Sequence, residues 1–166
     1  MNQVVRLRPA VAEDAAQLSE IALTAKAALG YSPQLIEGWR AELSIDARII
    51  HDHLVWVACR DDDSIAGFFS LILAGGGAHL DHLWVAPACQ GLGNGSLLMD
   101  KVWALAIEHR ASAVSVDAES LAEAFYQRQG FHRIAVVAAP IPGNPQRLRP
   151  QMLRLCPGGG GERHRK

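Results

Sequence analysis

The order of elements along this chain, β–α–α–β–β–β–α–β–α–β–β, predicts an α/β protein of the α+β type. Its sheet is expected to be mixed and mostly antiparallel, with roughly six to seven strands and about four flanking helices. Two observations carry that expectation. Three apolar, β-rich runs at 54–59, 65–73 and 79–85 follow one another with only turn residues between them, which predicts consecutive antiparallel strands. A glycine-rich turn, an amphipathic stretch and a further apolar run then follow, so one strand–helix–strand unit must be parallel.

Each element has a local reason. Residues 4–7 alternate and run into Pro9, a short first strand. Leu18, Ile21, Ala22, Ala25 and Leu29 follow helical spacing, with Glu13 and Asp14 at the favourable end and Gly30 as a stop. Ser32 and Pro33 read as N-cap and first residue of a second helix running to about Leu43. The runs 61–64 and 75–77 have turn composition. Leu98, Val102, Leu105 and Ala106 form the core stripe of a long helix ending near Arg110. A strand over 113–116, a short helix over 121–129 stopped by Gly130, and strands over 134–138 and 152–155 complete the chain. Residues 1–156 are expected to form one domain. Residues 157–166, Gly-rich and then basic, carry too little apolar surface to order themselves.

Composition narrows the function. The formal net charge of −1 over 166 residues argues against an electrostatic nucleic-acid binder. The three cysteines are scattered, with no CxxC pair, which favours reduced thiols and a cytoplasmic setting over a disulfide framework. Neither a signal-peptide pattern nor a membrane-length apolar run is present in the sequence, so no membrane partner is expected. His51 with His53, and His79 with His82, lack established metal spacing, and no metal is expected.

The informative segment is Cys89-Gln90-Gly91-Leu92-Gly93-Asn94-Gly95-Ser96, set between a strand and a helix. Glycines at alternate positions let backbone N–H groups converge, and the helix start adds its own donors, which suits a phosphate. Gln90 to Gly95 resembles the Q/R-x-x-G-x-G/A pyrophosphate loop of the GNAT superfamily of acetyl-CoA-dependent N-acyltransferases. Ala122-Glu123-Ala124-Phe125-Tyr126-Gln127-Arg128-Gln129-Gly130-Phe131 resembles that family's A-x-x-F-Y-x-x-x-G-F element. The strand ending Leu83-Trp84-Val85-Ala86-Pro87 has the family's look, and the element order agrees with the GNAT fold to about Leu155. The Gly30-Tyr31-Ser32 break and the Ile141-Pro142-Gly143 loop resemble a bacterial subgroup whose acceptors are mostly unassigned.

The resemblance implies acetyl-CoA as co-substrate. Gln90, Gly91, Leu92, Gly93, Asn94, Gly95 and Ser96 would cradle its pyrophosphate, with Phe125 beside the cofactor. Leu83, Trp84 and Val85 would pair with the pantetheine arm, in a V-shaped opening between two central strands. The reaction implied is direct attack of an amine on the thioester. It requires a neutral amine, a donor for the oxyanion and an acid for the thiolate. By the same resemblance Tyr126 is the acid and the Val85 N–H the oxyanion donor; the plainer alternative is that Tyr126 merely packs beside Phe125. Asp81, His82 and Glu119, near strand ends expected to flank the cleft, are candidates for the base, with Asp81 and His82 foremost. Strand parity does not choose between those two because relatives often have a bulge there. The related pattern D-A-D-P-N-A-E-P-F-Y has Asn where this chain has Leu121, so that contact is lost.

Other residues read more plainly. Cys89 is a small buried residue rather than a nucleophile. Tyr31, Trp39 and Glu42 are expected to line the acceptor pocket, because the segment between the first two strands covers the substrate side in this fold. The acceptor is expected to be a small-molecule or peptide amine, and the late strands offer an edge for a homodimer. A non-catalytic acyl-CoA sensor of the same fold is the alternative. A dinucleotide-binding domain is disfavoured by the consecutive strands before the loop.

Overall fold

The computed structural model describes residues 4–158, so the tail from 159 onward lies outside the described residues. Seven strands form a sheet: β1 (Arg6–Pro9), β2 (Leu54–Cys59), β3 (Ile65–Ala74), β4 (Gly77–Val85), β5 (Ala113–Asp117), β6 (His132–Ala138) and β7 (Leu148–Leu155). Their order is β1-β2-β3-β4-β5-β7-β6. The pairs β1–β2, β2–β3, β5–β7 and β6–β7 are antiparallel, and β4–β5 is parallel. The helices are α1 (Ala15–Ala27), α2 (Pro33–Gly38), α3 (Arg40–Leu43), α4 (Ala47–Asp52), α5 (Asn94–Glu108) and α6 (Glu123–Arg128).

Two expectations need correction. The described residues hold six helices, not four. The stretch from Pro33 to Leu43 breaks at Trp39, whose ψ is near zero, and α4 was not expected at all. Asp46 starts α4 by accepting the Ile49 N–H at 2.9 Å, an ordinary N-cap that the sequence displays. The first strand is Arg6–Pro9 rather than 4–7, and Pro9 pairs opposite Trp56. Proline is tolerated there because β1 lies at one end of the sheet order.

The described residues gather into two compact units, 4–71 with 82–101 and 72–81 with 102–158. In the first, α1 presents Leu18 and Ile21 to Val55 and Val57 of β2 and Phe68 of β3. These side chains are buried, each worth about 1.5–3 kcal/mol relative to exposure.

In the second unit, Val114 of β5 and Met152 of β7 are fully buried. Gly75 and Gly76 have φ of 60° and 78°, as a two-residue turn between antiparallel strands demands. Within α5, Val102, Leu105 and Ala106 are buried as their spacing requires. The helix closes with Ala111 N–H on the Ala106 carbonyl and Arg110 N–H on the Ile107 carbonyl. That Schellman ending puts Arg110 at φ 55°, where glycine is usual.

Candidate active site

The glycine loop is shaped by its own hydrogen bonds. Gly91 and Gly93 have φ of 73° and 85°, which L side chains rarely adopt, and a Cβ on either would meet nothing within 4 Å. Glycine is needed for conformation at these two positions, and the surface around them stays open. The buried Asn94 side chain donates to the Cys89 carbonyl at 3.0 Å and clamps the loop shut across its base. Gln90 donates through its side-chain amide to the Val85 carbonyl at 3.1 Å, tying the loop to the end of β4. The first helical bond of α5 runs from Leu97 N–H to the Gly93 carbonyl at 3.0 Å, so the amides of Asn94 and Gly95 lie ahead of the helical ladder. Cys89 is buried, as a small core residue should be.

The strand leading to the loop depends on Gly67, a residue that sequence reasoning missed. An added Cβ there would lie 2.7 Å from the Trp84 carbonyl oxygen, 3.1 Å from Leu98 Cδ1 and 3.2 Å from Val85 Cα. Ala86 N–H also donates to the Ala66 carbonyl at 2.8 Å. The position of Trp84 and Val85 therefore rests on the missing side chain of Gly67. No sequence signal marks Gly67, because its neighbours across the fold decide its role.

A second cluster in the same unit surrounds Lys26 of α1. Its side chain is buried (8% exposed), with the ammonium 4.5 Å from the Trp39 ring centroid, 5.2 Å from Tyr31 and 6.0 Å from Trp84. Tyr31 and Trp39 meet edge-to-face at 4.9 Å. Tyr31 and Trp39, two of the three residues expected to line an acceptor pocket, thus meet around a lysine that was not singled out. A signal was present: Lys26 follows Leu18 and Ala22 at helical spacing, on the inward side of α1. Glu42 lies exposed on α3.

Of the two base candidates on β4, Asp81 is exposed and His82 is half-buried. The His82 ring lies 6.2 Å from that of Phe68, and its Nδ1 accepts the indole N–H of Trp84 at 3.2 Å. The parallel ladder between β4 and β5 covers Ala78–Leu80 against Val114–Val116, while β4 itself runs on to Val85.

In the second unit, Tyr126 sits on α6 and is buried, with its ring 5.2 Å from Phe125 and 5.6 Å from Phe131. The helix ends with Phe131 N–H on the Tyr126 carbonyl and Gly130 N–H on the Gln127 carbonyl, both at 3.0 Å. Gly130 has φ 89°, and a Cβ there would also come 3.1 Å from Arg154 Nε. The glycine and second phenylalanine of the motif are thus the hydrogen-bonded and apolar halves of a Schellman ending that fixes Tyr126. Burial pushes the Tyr126 phenol well above its ordinary range, so it keeps its proton.

The remaining candidates have structural partners. His53 bonds Ser70 and His79 bonds Ser115, each at 2.9 Å, while His51 bonds its neighbour Asp52. No group of metal-ligating side chains occurs among the described residues. Trp56 lies under Lys101 at 4.0 Å and Trp103 under Arg154 at 3.5 Å. No helix among the described residues is long and apolar enough to cross a membrane.

Residues 27–138 match the family model described as acetyltransferase (GNAT) domain, more than half of the chain. Among solved structures, the chain is similar to a GCN5-related N-acetyltransferase from Rhodopseudomonas palustris (26% identity, TM-score 0.75), with 93% of this chain and 98% of that one covered. It is also similar to PaiA N-acetyltransferase from Thermoplasma acidophilum, solved in complex with coenzyme A (20% identity, TM-score 0.71), covering 92% of this chain and 99% of that one. The ribosomal-protein-S18-alanine N-acetyltransferase from Escherichia coli shares the fold at 15% identity and TM-score 0.74, covering 98% and 100%.

Proposed function

Because the chain belongs to the GNAT acetyltransferase family, we propose that it moves an acetyl group from acetyl-CoA to a primary amine of a small molecule or peptide. One observation carries the donor: the loop in which Gly91 and Gly93 hold left-handed conformations, Asn94 clamps the base and α5 begins. A concave run of backbone donors at a helix start suits a pyrophosphate. That a structure of the same fold was solved with coenzyme A supports the same reading. In it, Gln90 to Ser96 receive the pyrophosphate, Phe125 flanks the cofactor, and Leu83 to Val85 hydrogen-bond the pantetheine arm as an added strand.

The amine nitrogen attacks the thioester carbonyl and a tetrahedral oxyanion forms, which the Val85 N–H stabilises. The C–S bond then breaks, the sulfur leaves as a thiolate, and Tyr126 supplies its proton. The phenol is protonated at neutral pH, as a proton donor must be, and the candidates to take the amine proton are Asp81 and His82 of β4. The acceptor enters by way of Tyr31, Trp39 and Glu42. β6, exposed along its whole length at one end of the sheet order, is the edge on which a homodimer would form.

The test is thiol release from acetyl-CoA against a panel of amines, with Tyr126→Phe in parallel. Turnover with at least one amine is expected, falling by about 10²–10⁴-fold in the variant. Tight acetyl-CoA binding without turnover on any amine would replace the enzyme by a sensor. Unchanged turnover in Tyr126→Phe would remove the acid.

A further inference from the structure

The contact between Trp84 and His82 bears on which groups can move a proton. An indole N–H can only donate. The His82 Nδ1 that receives it at 3.2 Å must therefore present a lone pair, and in the neutral ring the proton then sits on Nε2. To take up a second proton, His82 would have to place an N–H at Nδ1 against the indole N–H and break that bond. Other features hold the arrangement in place. Trp84 and His82 are two residues apart on β4, where alternate side chains share a face. The Trp84 ring is itself packed, with the Lys26 ammonium 6.0 Å from its centroid. Its backbone is set by the close approach of Gly67 to the Trp84 carbonyl. The His82 ring rests near the fully buried Phe68.

We propose that Trp84 is a positioning residue that locks His82 as the Nε2–H tautomer, which makes His82 a fixed hydrogen-bond donor and removes it from the role of general base. The tautomer stands on the geometry of β4 alone. The catalytic consequence rests on the acetyl-transfer reading, and within it the amine proton passes to Asp81 or to water.

The tautomer is read directly by NMR of protein labelled with 15N in the histidine imidazoles, above the ordinary histidine pKa of about 6.5. The His82 signals are identified as those missing from His82→Gln. The expected result is a pyridine-type Nδ1 and a pyrrole-type Nε2 for His82, with both moving toward averaged positions in Trp84→Phe. A pyrrole-type Nδ1, or signals unmoved by Trp84→Phe, would overturn the lock. Kinetics test the consequence without the tryptophan variant. The glutamine of His82→Gln places an amide donor near the position of Nε2 but cannot act as a base. Its turnover should stay within about tenfold of the parent, the scale of one neutral hydrogen bond. A loss of about 10²–10⁴-fold, matching His82→Ala, would show that His82 is the base after all. Absence of turnover in the parent protein would remove the acetyl-transfer reading and the catalytic consequence with it, while the NMR result would still decide the tautomer.

Discussion

Substituting Gly67 by alanine tests whether β4 is held in place by what that position lacks. The added methyl would lie 2.7 Å from the Trp84 carbonyl oxygen, with Leu98 Cδ1 at 3.1 Å and Val85 Cα at 3.2 Å. Leu98 can turn aside, but two of the three contacts are backbone, so β3 and β4 must part by about half an ångström. Overpacking of this kind costs about 1–3 kcal/mol. For a chain of this size that lowers Tm by about 2–12 °C. The displaced segment is the one proposed to pair with the pantetheine arm and to supply the oxyanion donor. Since a misplacement of about 1 Å can cost about 10²-fold, roughly tenfold in kcat/KM for acetyl-CoA is expected from half of it. Thermal melts and steady-state thiol release read the two effects. Gly38→Ala is the control: its Cβ would meet nothing within 4 Å, so it should leave turnover unchanged and, in helix α2, raise Tm slightly rather than lower it. If Gly67→Ala melted and turned over like Gly38→Ala, the close approach would not position β4.

Four further outcomes follow from particular contacts. Asn94→Ala leaves the Cys89 carbonyl without its donor and should cost about 1–3 kcal/mol, with a raised KM for acetyl-CoA in the same thiol assay. Arg110→Gly relieves a left-handed arginine at the end of α5 and should stabilise by about 1 kcal/mol, seen as a Tm rise of about 2–4 °C with activity unchanged. Asp14 accepts two hydrogen bonds from Arg8 and one from the Val11 N–H, and the Arg8 guanidinium above all holds its carboxyl below the usual range. That stability is present above about pH 4 and lost as pH falls through the lowered value, so denaturant melts of Asp14→Asn should converge with the parent only in acid. Burial raises the Tyr126 phenol, so its contribution is intact below about pH 10 and lost as pH rises toward the folded value. Tyr126→Phe should therefore flatten the alkaline decline in stability.

Much of the site was legible because it is local. Left-handed glycines before a helix and a glycine that ends one are dictated by backbone sterics within a few residues, so Gly91, Gly93 and Gly130 announce themselves in the sequence. The strand–helix–strand unit around the loop could be read as parallel from chain connectivity alone, and β4–β5 is parallel. What stayed hidden depends on partners far along the chain. Gly67 looks like any glycine in a strand until Trp84 and Val85 are brought against it. The spacing of Lys26 behind Leu18 and Ala22 marks it as inward, but does not reveal the rings of Trp39 and Trp84 that are brought near its ammonium. The break at Trp39 divides a stretch that helical propensity would have continued. α4 is the exception, since its Asp46 cap was in plain view.

The ending of α6 changes what the F-Y-x-x-x-G-F pattern can be used to diagnose. Gly130 is demanded by a left-handed turn and by the nearness of Arg154, and Phe131 by its contact with the Tyr126 ring. None of those demands involves a substrate, and a phenylalanine at 126 would meet the packing as well as tyrosine does. A descendant that had abandoned chemistry would still need the glycine, the second phenylalanine and an aromatic ring at 126. That part of the pattern therefore testifies to a helix terminus, and the acid proposed for Tyr126 rests on its hydroxyl alone.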